Sequence, residues 1–197
     1  MQPSTDLEAD PALGTRVLDR VKELEHRGYA FEVADASFEL LVRRESGTFD
    51  PPFTLEGYRV MVERKPEGSG EPRGGAPVGQ AWSDVSEATV RLLVDGERVL
   101  AVGEGVGPVH ALDQALRRAL SPRHPELKDV GLVDFKVRIL DGRAGTRAVT
   151  RVLVTSADPD AEWTTVGVSD DIVTASWEAL ADGIAYGLLR AQAPVGR

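Results

Sequence analysis

Apolar residues recur at Leu13, Val17, Val21 and Leu24, spacings that place them along one stripe of a helix. Asp10-Pro11 ahead of them offers an N-cap and a first-turn proline, and Gly28 closes the run. A second helix is predicted from about Asp35, with Ala34, Phe38 and Leu41 on one side, before Gly47 and Pro51-Pro52 break the chain. These two helices, residues 12–52, read as a short arm separate from the main domain, after a flexible start at 1–11.

The period then changes to two. Tyr58, Val60 and Val62 alternate with Arg59 and Glu63, the pattern of a strand with one face inward. Residues 65–79 are crowded with Gly and Pro and are expected to form a flexible loop. Thr89–Val94 and Arg98–Val102 flank Asp95-Gly96, a strong hairpin signal. A helix from Pro108 follows, with Val109, Leu112, Leu116 and Ala119 inward. The same order recurs: a strand at Asp134–Ile139, a hairpin of Arg147–Val154 with Trp163–Val166, and a helix from Ile172 carrying Val173, Trp177, Leu180, Ile184 and Leu188.

The recurrence extends to residues. At one constant offset Val102-Gly103 lines up with Val166-Gly167, Ala111 with Ala175, and Ala115-Leu116 with Ala179-Leu180. Tyr58 pairs with Phe135 and Val60 with Val137 at a larger offset, because the first half has the longer loop. The expected fold is α+β: two pseudo-twofold-related βββα units, about 53–122 and 130–190, each an antiparallel sheet with a helix on one face.

Composition narrows the function. With 42% hydrophobic and 28% charged residues the chain has the profile of a soluble globular protein. Its net charge of −9 argues against a surface for nucleic acid or anionic lipid. There are 0 cysteines, which removes disulfides, thiolate nucleophiles and cysteine metal sites. The longest apolar runs, such as Val99–Val102, are too short to span a membrane, and the acidic start lacks the apolar stretch of a signal peptide. A cytoplasmic location is expected. At 197 residues the chain is also too short for a (β/α)₈ barrel.

Candidate chemistry is sparse. Gly103-Glu-Gly-Val-Gly-Pro108 sits just before a helix N-terminus. Two readings fit: exposed N–H groups for a small carboxylate, or a tight turn that lets the helix pack closely. Its strand belongs to a hairpin and no Gly-Lys-Ser/Thr follows, so neither a dinucleotide fingerprint nor a P-loop is supported. Val168-Ser-Asp-Asp-Ile172 holds the equivalent place, with Ser169 a fair N-cap and Asp170 and Asp171 suited to the first turn. His26, His110 and His124 are scattered, and no Gly-x-Ser-x-Gly elbow exists. No catalytic centre emerges from the residues alone.

Taken together, the motifs resemble one family. Val17-Leu-Asp-Arg-Val-Lys-Glu-Leu-Glu-His-Arg-Gly-Tyr29, Phe31-Glu32 and Ala36-Ser-Phe-Glu-Leu-Leu-Val42 are similar to the linker helices of the (R)-citramalate synthase family. Gly105-Val-Gly-Pro-Val-His-Ala-Leu-Asp113, Phe135-Lys-Val-Arg-Ile-Leu-Asp-Gly142, Gly145-Thr146, Trp163-Thr-Thr-Val-Gly-Val-Ser169 and Ile172-Val-Thr-Ala-Ser-Trp177 resemble its C-terminal regulatory domain, which would span 53–197. The linker motif favours citramalate synthase over 2-isopropylmalate synthase, which shares that regulatory fold. The resemblance implies a parent enzyme condensing pyruvate with acetyl-CoA on a divalent-metal-dependent N-terminal barrel. That barrel's Arg-Asp-Gly and His-x-His motifs do not occur here, so no cofactor is expected in this chain. It further implies a homodimer that binds a branched-chain amino acid and inhibits the barrel.

For such a ligand the sequence offers Gly105, Gly107 and Pro108 toward the carboxylate and Asp113 toward the ammonium. Leu112, Phe135, Ile139 and Val149 could form the apolar wall, with Thr146, Asp170 and Ile172 as further candidates. Asp113 fits equally well as a helix-surface residue. Isoleucine is the expected effector, leucine the alternative. Two other readings are a free-standing sensor without a barrel, and an enzyme holding a CoA or nucleotide phosphate on the glycine loop.

Overall fold

The protein, in a computed structural model, is described over residues 10–66 and 82–192. The first nine residues and most of the predicted Gly/Pro loop fall outside the described residues. The helices are α1 (Pro11–His26), α2 (Asp35–Glu45), α3 (Pro108–Leu120) and α4 (Ile172–Gln192). The strands are β1 (Thr54–Pro66), β2 (Trp82–Val94), β3 (Glu97–Gly105), β4 (Gly131–Ile139), β5 (Thr150–Ala157) and β6 (Glu162–Ser169). They form two antiparallel sheets, β1-β2-β3 and β4-β5-β6, each followed by a helix, so the α+β fold and the βββα order are as the sequence predicts. The chain divides into two compact units, Thr54–Leu120 and a second that joins residues up to Phe53 with those from Ser121 onward.

In the first unit, alternation along β2 buries Ser86, Ala88, Val90, Leu92 and Val94 beneath α3. Helix α3 answers with Ala111, Leu112, Ala115, Leu116 and Ala119, a stripe at helical spacing. The β2–β3 turn is the expected two-residue hairpin. Val94 pairs with Glu97, and Asp95 and Gly96 both have positive φ (50° and 78°), which is the I′ geometry that matches strand twist.

The second unit repeats this plan. Thr150, Val152, Val154 and Ser156 of β5, with Trp163 and Thr165 of β6, face α4 and are buried. The Trp163 indole N–H donates to the Gly183 carbonyl at 3.0 Å, and Gly187 leaves room for the ring. One boundary differs from expectation: β5 begins at Thr150 and not at Arg147. Residues Gly142–Arg147 instead form a 3₁₀ turn around Gly145 (φ 61°), closed by Ala148 N–H to Gly145 O at 3.2 Å.

The predicted arm does not stand apart. Ala34 packs with Val166 and Val168 on the face of β6 that α4 leaves open, supported by Tyr29, Phe31, Val149 and Leu153. A smaller core of Leu13, Val17 and Val42 joins α1 to α2. Both helices end in Schellman closures: Tyr29 N–H reaches Leu24 O and Gly28 N–H reaches Glu25 O, and Thr48 and Gly47 repeat this on Arg43 and Arg44. Gly28 (φ 108°) and Gly47 (φ 70°) supply the left-handed residue this requires.

The arm also closes a sheet edge. Strand β6 is an edge strand, and its outward N–H groups donate to side chains. Thr164 donates to Asp35 Oδ1 at 3.0 Å, Val166 to Ser37 Oγ at 2.9 Å, and Val168 to Glu178 Oε2 at 3.1 Å. Three donors that could pair with a foreign strand are thereby satisfied within the chain.

Candidate functional site

In each unit the last strand runs directly into the helix, and the glycine-loop and Asp170–Ile172 candidates lie at that turn. In the first unit Gly105 closes β3 and Pro108 opens α3. A Cβ on Gly105 would stand 2.6 Å from Ala111 N, so this glycine is explained by close helix packing. Gly107 has nothing within 4 Å and faces open space. Val106 between them is 87% exposed, its N–H donating to His110 Nδ1 at 3.3 Å. Leu112 is fully buried in the core beneath the sheet. Asp113 is mostly buried, and both its oxygens accept from Arg117 Nε, at 2.9 and 3.0 Å, one helical turn on.

In the second unit Ile139, Thr150 and Ser169 form one row across the end of the sheet, beside the turn that starts α4. Ile139 and Ile172 are exposed (62% and 47%), and Phe135 is half-buried on the same face of β4 as Ile139. Val149 does not join them, because it packs on the opposite face with the arm. Thr146 lies in the 3₁₀ turn, and its side chain falls outside the described residues. The helix cap is Asp171 and not Ser169: Asp171 Oδ1 accepts from Thr174 N–H at 2.8 Å, while Ser169 Oγ accepts from Asp171 N–H at 3.1 Å. Asp170 is left exposed at the mouth of the helix. Among the described residues its carboxylate accepts only from the Ser169 hydroxyl, at 3.3 Å.

The sequence reading missed a polar seam between the arm and the second unit. Arg151 Nε donates to the Gly28 carbonyl at 2.5 Å, Tyr29 O–H to Glu178 Oε2 at 2.9 Å, and Tyr186 O–H to Glu39 Oε2 at 2.7 Å. Arg44 spans both oxygens of Asp182, at 2.6 and 3.3 Å. Partners this distant in the chain leave no spacing signal. Burial, reinforced by the adjacent Glu178 and Glu39 carboxylates, holds the Tyr29 and Tyr186 phenols well above the ordinary range. A raised folded-state pKa contributes stability that is complete below about pH 10 and is lost as pH rises through the shifted value. In an ultraviolet absorbance titration both phenols should therefore stay protonated past that range and ionise together with unfolding. Free ionisation near pH 10, about the ordinary value for a phenol, would contradict the seam.

Among the described residues, no group of three or more His, Asp or Glu side chains is placed to hold a metal ion, and no helix is long and apolar enough to cross a membrane. The sequence matches the LeuA allosteric (dimerisation) domain over residues 32–188. It is 48% identical to an (R)-citramalate synthase of Streptomyces coelicolor, over 94% of this chain and 32% of that protein. An (R)-citramalate synthase of Synechocystis is 47% identical (91% and 31%), and one of Aquifex aeolicus 43% identical (89% and 31%). The chain thus spans about a third of the length of these relatives. With the domain match covering most of its length, the chain belongs to the LeuA allosteric (dimerisation) domain family.

Proposed function

We propose that this chain is the regulatory, dimer-forming part of a citramalate synthase-type enzyme, and that it binds isoleucine as the end-product effector. The observation that carries the reading is the reach of the likeness. Similarity to an (R)-citramalate synthase extends over 94% of the chain and so includes arm residues ahead of the domain match that starts at residue 32. On this reading condensation of acetyl-CoA with pyruvate, with its divalent metal, belongs to a catalytic barrel outside this chain. The protein works in the cytoplasm as a homodimer.

An amino-acid effector needs an anion-binding end, a counter-charge for its ammonium and apolar surface for its side chain. The mouth of α4 offers Asp170 to an ammonium, and Ile139 and Ile172 to an aliphatic group. Leu112 is committed to the core and Asp113 to Arg117, so Asp170 is the stronger ammonium partner.

Titration calorimetry and melting curves with isoleucine, leucine and valine test this. A ligand held only by the folded state at a hundred times its Kd adds about 2.7 kcal/mol of apparent stability. Isoleucine should bind most tightly, and Asp170→Asn should weaken it. Tighter leucine binding would move the chain to a 2-isopropylmalate synthase-type sensor. The absence of heat and melting shift with all three would overturn the sensor reading.

A further inference from the structure

Between α1, α2 and α4, wholly within the second unit, lies a cavity of about 370 Å³, within the size range of small-molecule sites. Leu24, Leu41 and Val166, all largely buried, give it an apolar lining. Three aromatic side chains also line it: Trp177, and the stacked pair Tyr29 and Phe31 with ring centroids 5.9 Å apart.

The charges on the walls do not cancel. Arg44 is matched by Asp182, and Arg20 by Glu23 outside the cavity. That leaves two carboxylates. Glu178 uses only Oε2, which accepts from both Tyr29 O–H and Val168 N–H, so Oε1 has no partner among the described residues. The half-buried Glu45 carboxylate likewise has no hydrogen-bond or ion-pair partner among the described residues. An apolar lining with aromatic faces and an uncompensated half-buried carboxylate is complementary to one kind of ligand, a cation with a greasy body. An anion would meet Glu178 and Glu45 head on. A neutral molecule would desolvate Glu178 without supplying a counter-charge.

We propose that this cavity binds a small organic ammonium ion carrying an apolar group, at a site distinct from the effector site proposed at the mouth of α4. Its walls come from both arm helices and α4, so an occupant bridges the arm helices to α4.

The test uses the full chain and three probes of one carbon skeleton: isoamylamine, isoamyl alcohol and isovalerate. Binding is read by calorimetry and by intrinsic fluorescence, since Trp177 lines the cavity. The amine should bind saturably, the alcohol at least about tenfold more weakly, and the acid not at all. Glu178→Gln keeps an oxygen acceptor for Tyr29 and Val168, so its melting curve should match the parent while amine affinity falls about tenfold or more. Ala181→Met, which fills the cavity from its wall, should abolish amine binding and leave the isoleucine response intact. Equal affinity for amine and alcohol, unchanged amine binding by Glu178→Gln, or no binding of the amine would each overturn the proposal.

Discussion

Alanine at Gly167 is expected to destabilise the fold by about 3 kcal/mol or more, at the upper end of overpacking effects. The backbone there is ordinary, so the cost comes from space alone. A Cβ would collide with the Ala175 carbonyl oxygen and stand 2.9 Å from both Ala179 N and Glu178 Cβ. Rotamer changes cannot relieve contact with main-chain atoms, so α4 would have to lift from β6. Gly103 repeats the arrangement, its Cβ standing 2.5 Å from Ala111 O and closer still to Ala115 N, and Gly103→Ala should behave alike. A loss of that size lowers the melting temperature by roughly 6 to 12 °C in a chain of this length. Gly107→Ala, with nothing within 4 Å, is the control and should stay within about 0.5 kcal/mol of the parent. Denaturant titration separates the three; a Gly167→Ala variant as stable as the Gly107→Ala control would show that the helix is not pinned there.

This contact also explains why the repeat was legible. Val102-Gly103 and Val166-Gly167 line up with each other, and Ala111 and Ala115 with Ala175 and Ala179, because each pair of alanines sits against its own glycine. Local physics of this kind, like the Asp95-Gly96 turn, writes itself into short spacings. The arm's place did not. Ser37 and Val166 meet across more than half the chain, and nothing in the Ala34–Ser37 run distinguishes a strand cap from an ordinary helix start. That the glycine loop and the Asp170–Ile172 turn each open a helix was legible; the faces and partners of single candidates were less so. Face parity put Val149 on the wrong side of the sheet from Ile139. Arg117, one turn beyond Asp113, was the available sign that this carboxylate already had a partner.

Removing the arm, with a chain that begins at Pro51, is expected to destabilise the second unit by about 5 kcal/mol, taking roughly 1.5 to 3 kcal/mol for each large side chain uncovered. Val166, Val168 and Trp177, each 6% exposed or less, lose the cover that the arm helps to provide. Arg151 loses the carbonyls of Gly28 and Tyr29. The N–H groups of Thr164 and Val166 lose Asp35 and Ser37, so β6 becomes an open edge and the shortened chain should associate as its concentration rises. Ser37→Ala alone should cost only about 1 to 3 kcal/mol, the penalty for one buried donor left without its acceptor. Tryptophan-monitored unfolding at several concentrations measures both variants; a truncated chain with unaltered stability and no association would refute this packing. The same reasoning bears on how the proposed effector signal would leave the domain. A deletion that unfolds the sensor cannot separate sensing from transmission. Arg44→Ala can, because it removes a partly exposed ion pair to Asp182 while leaving Ala34, Val166 and Val168 in place, so the arm stays docked but loses one rigid tie to α4.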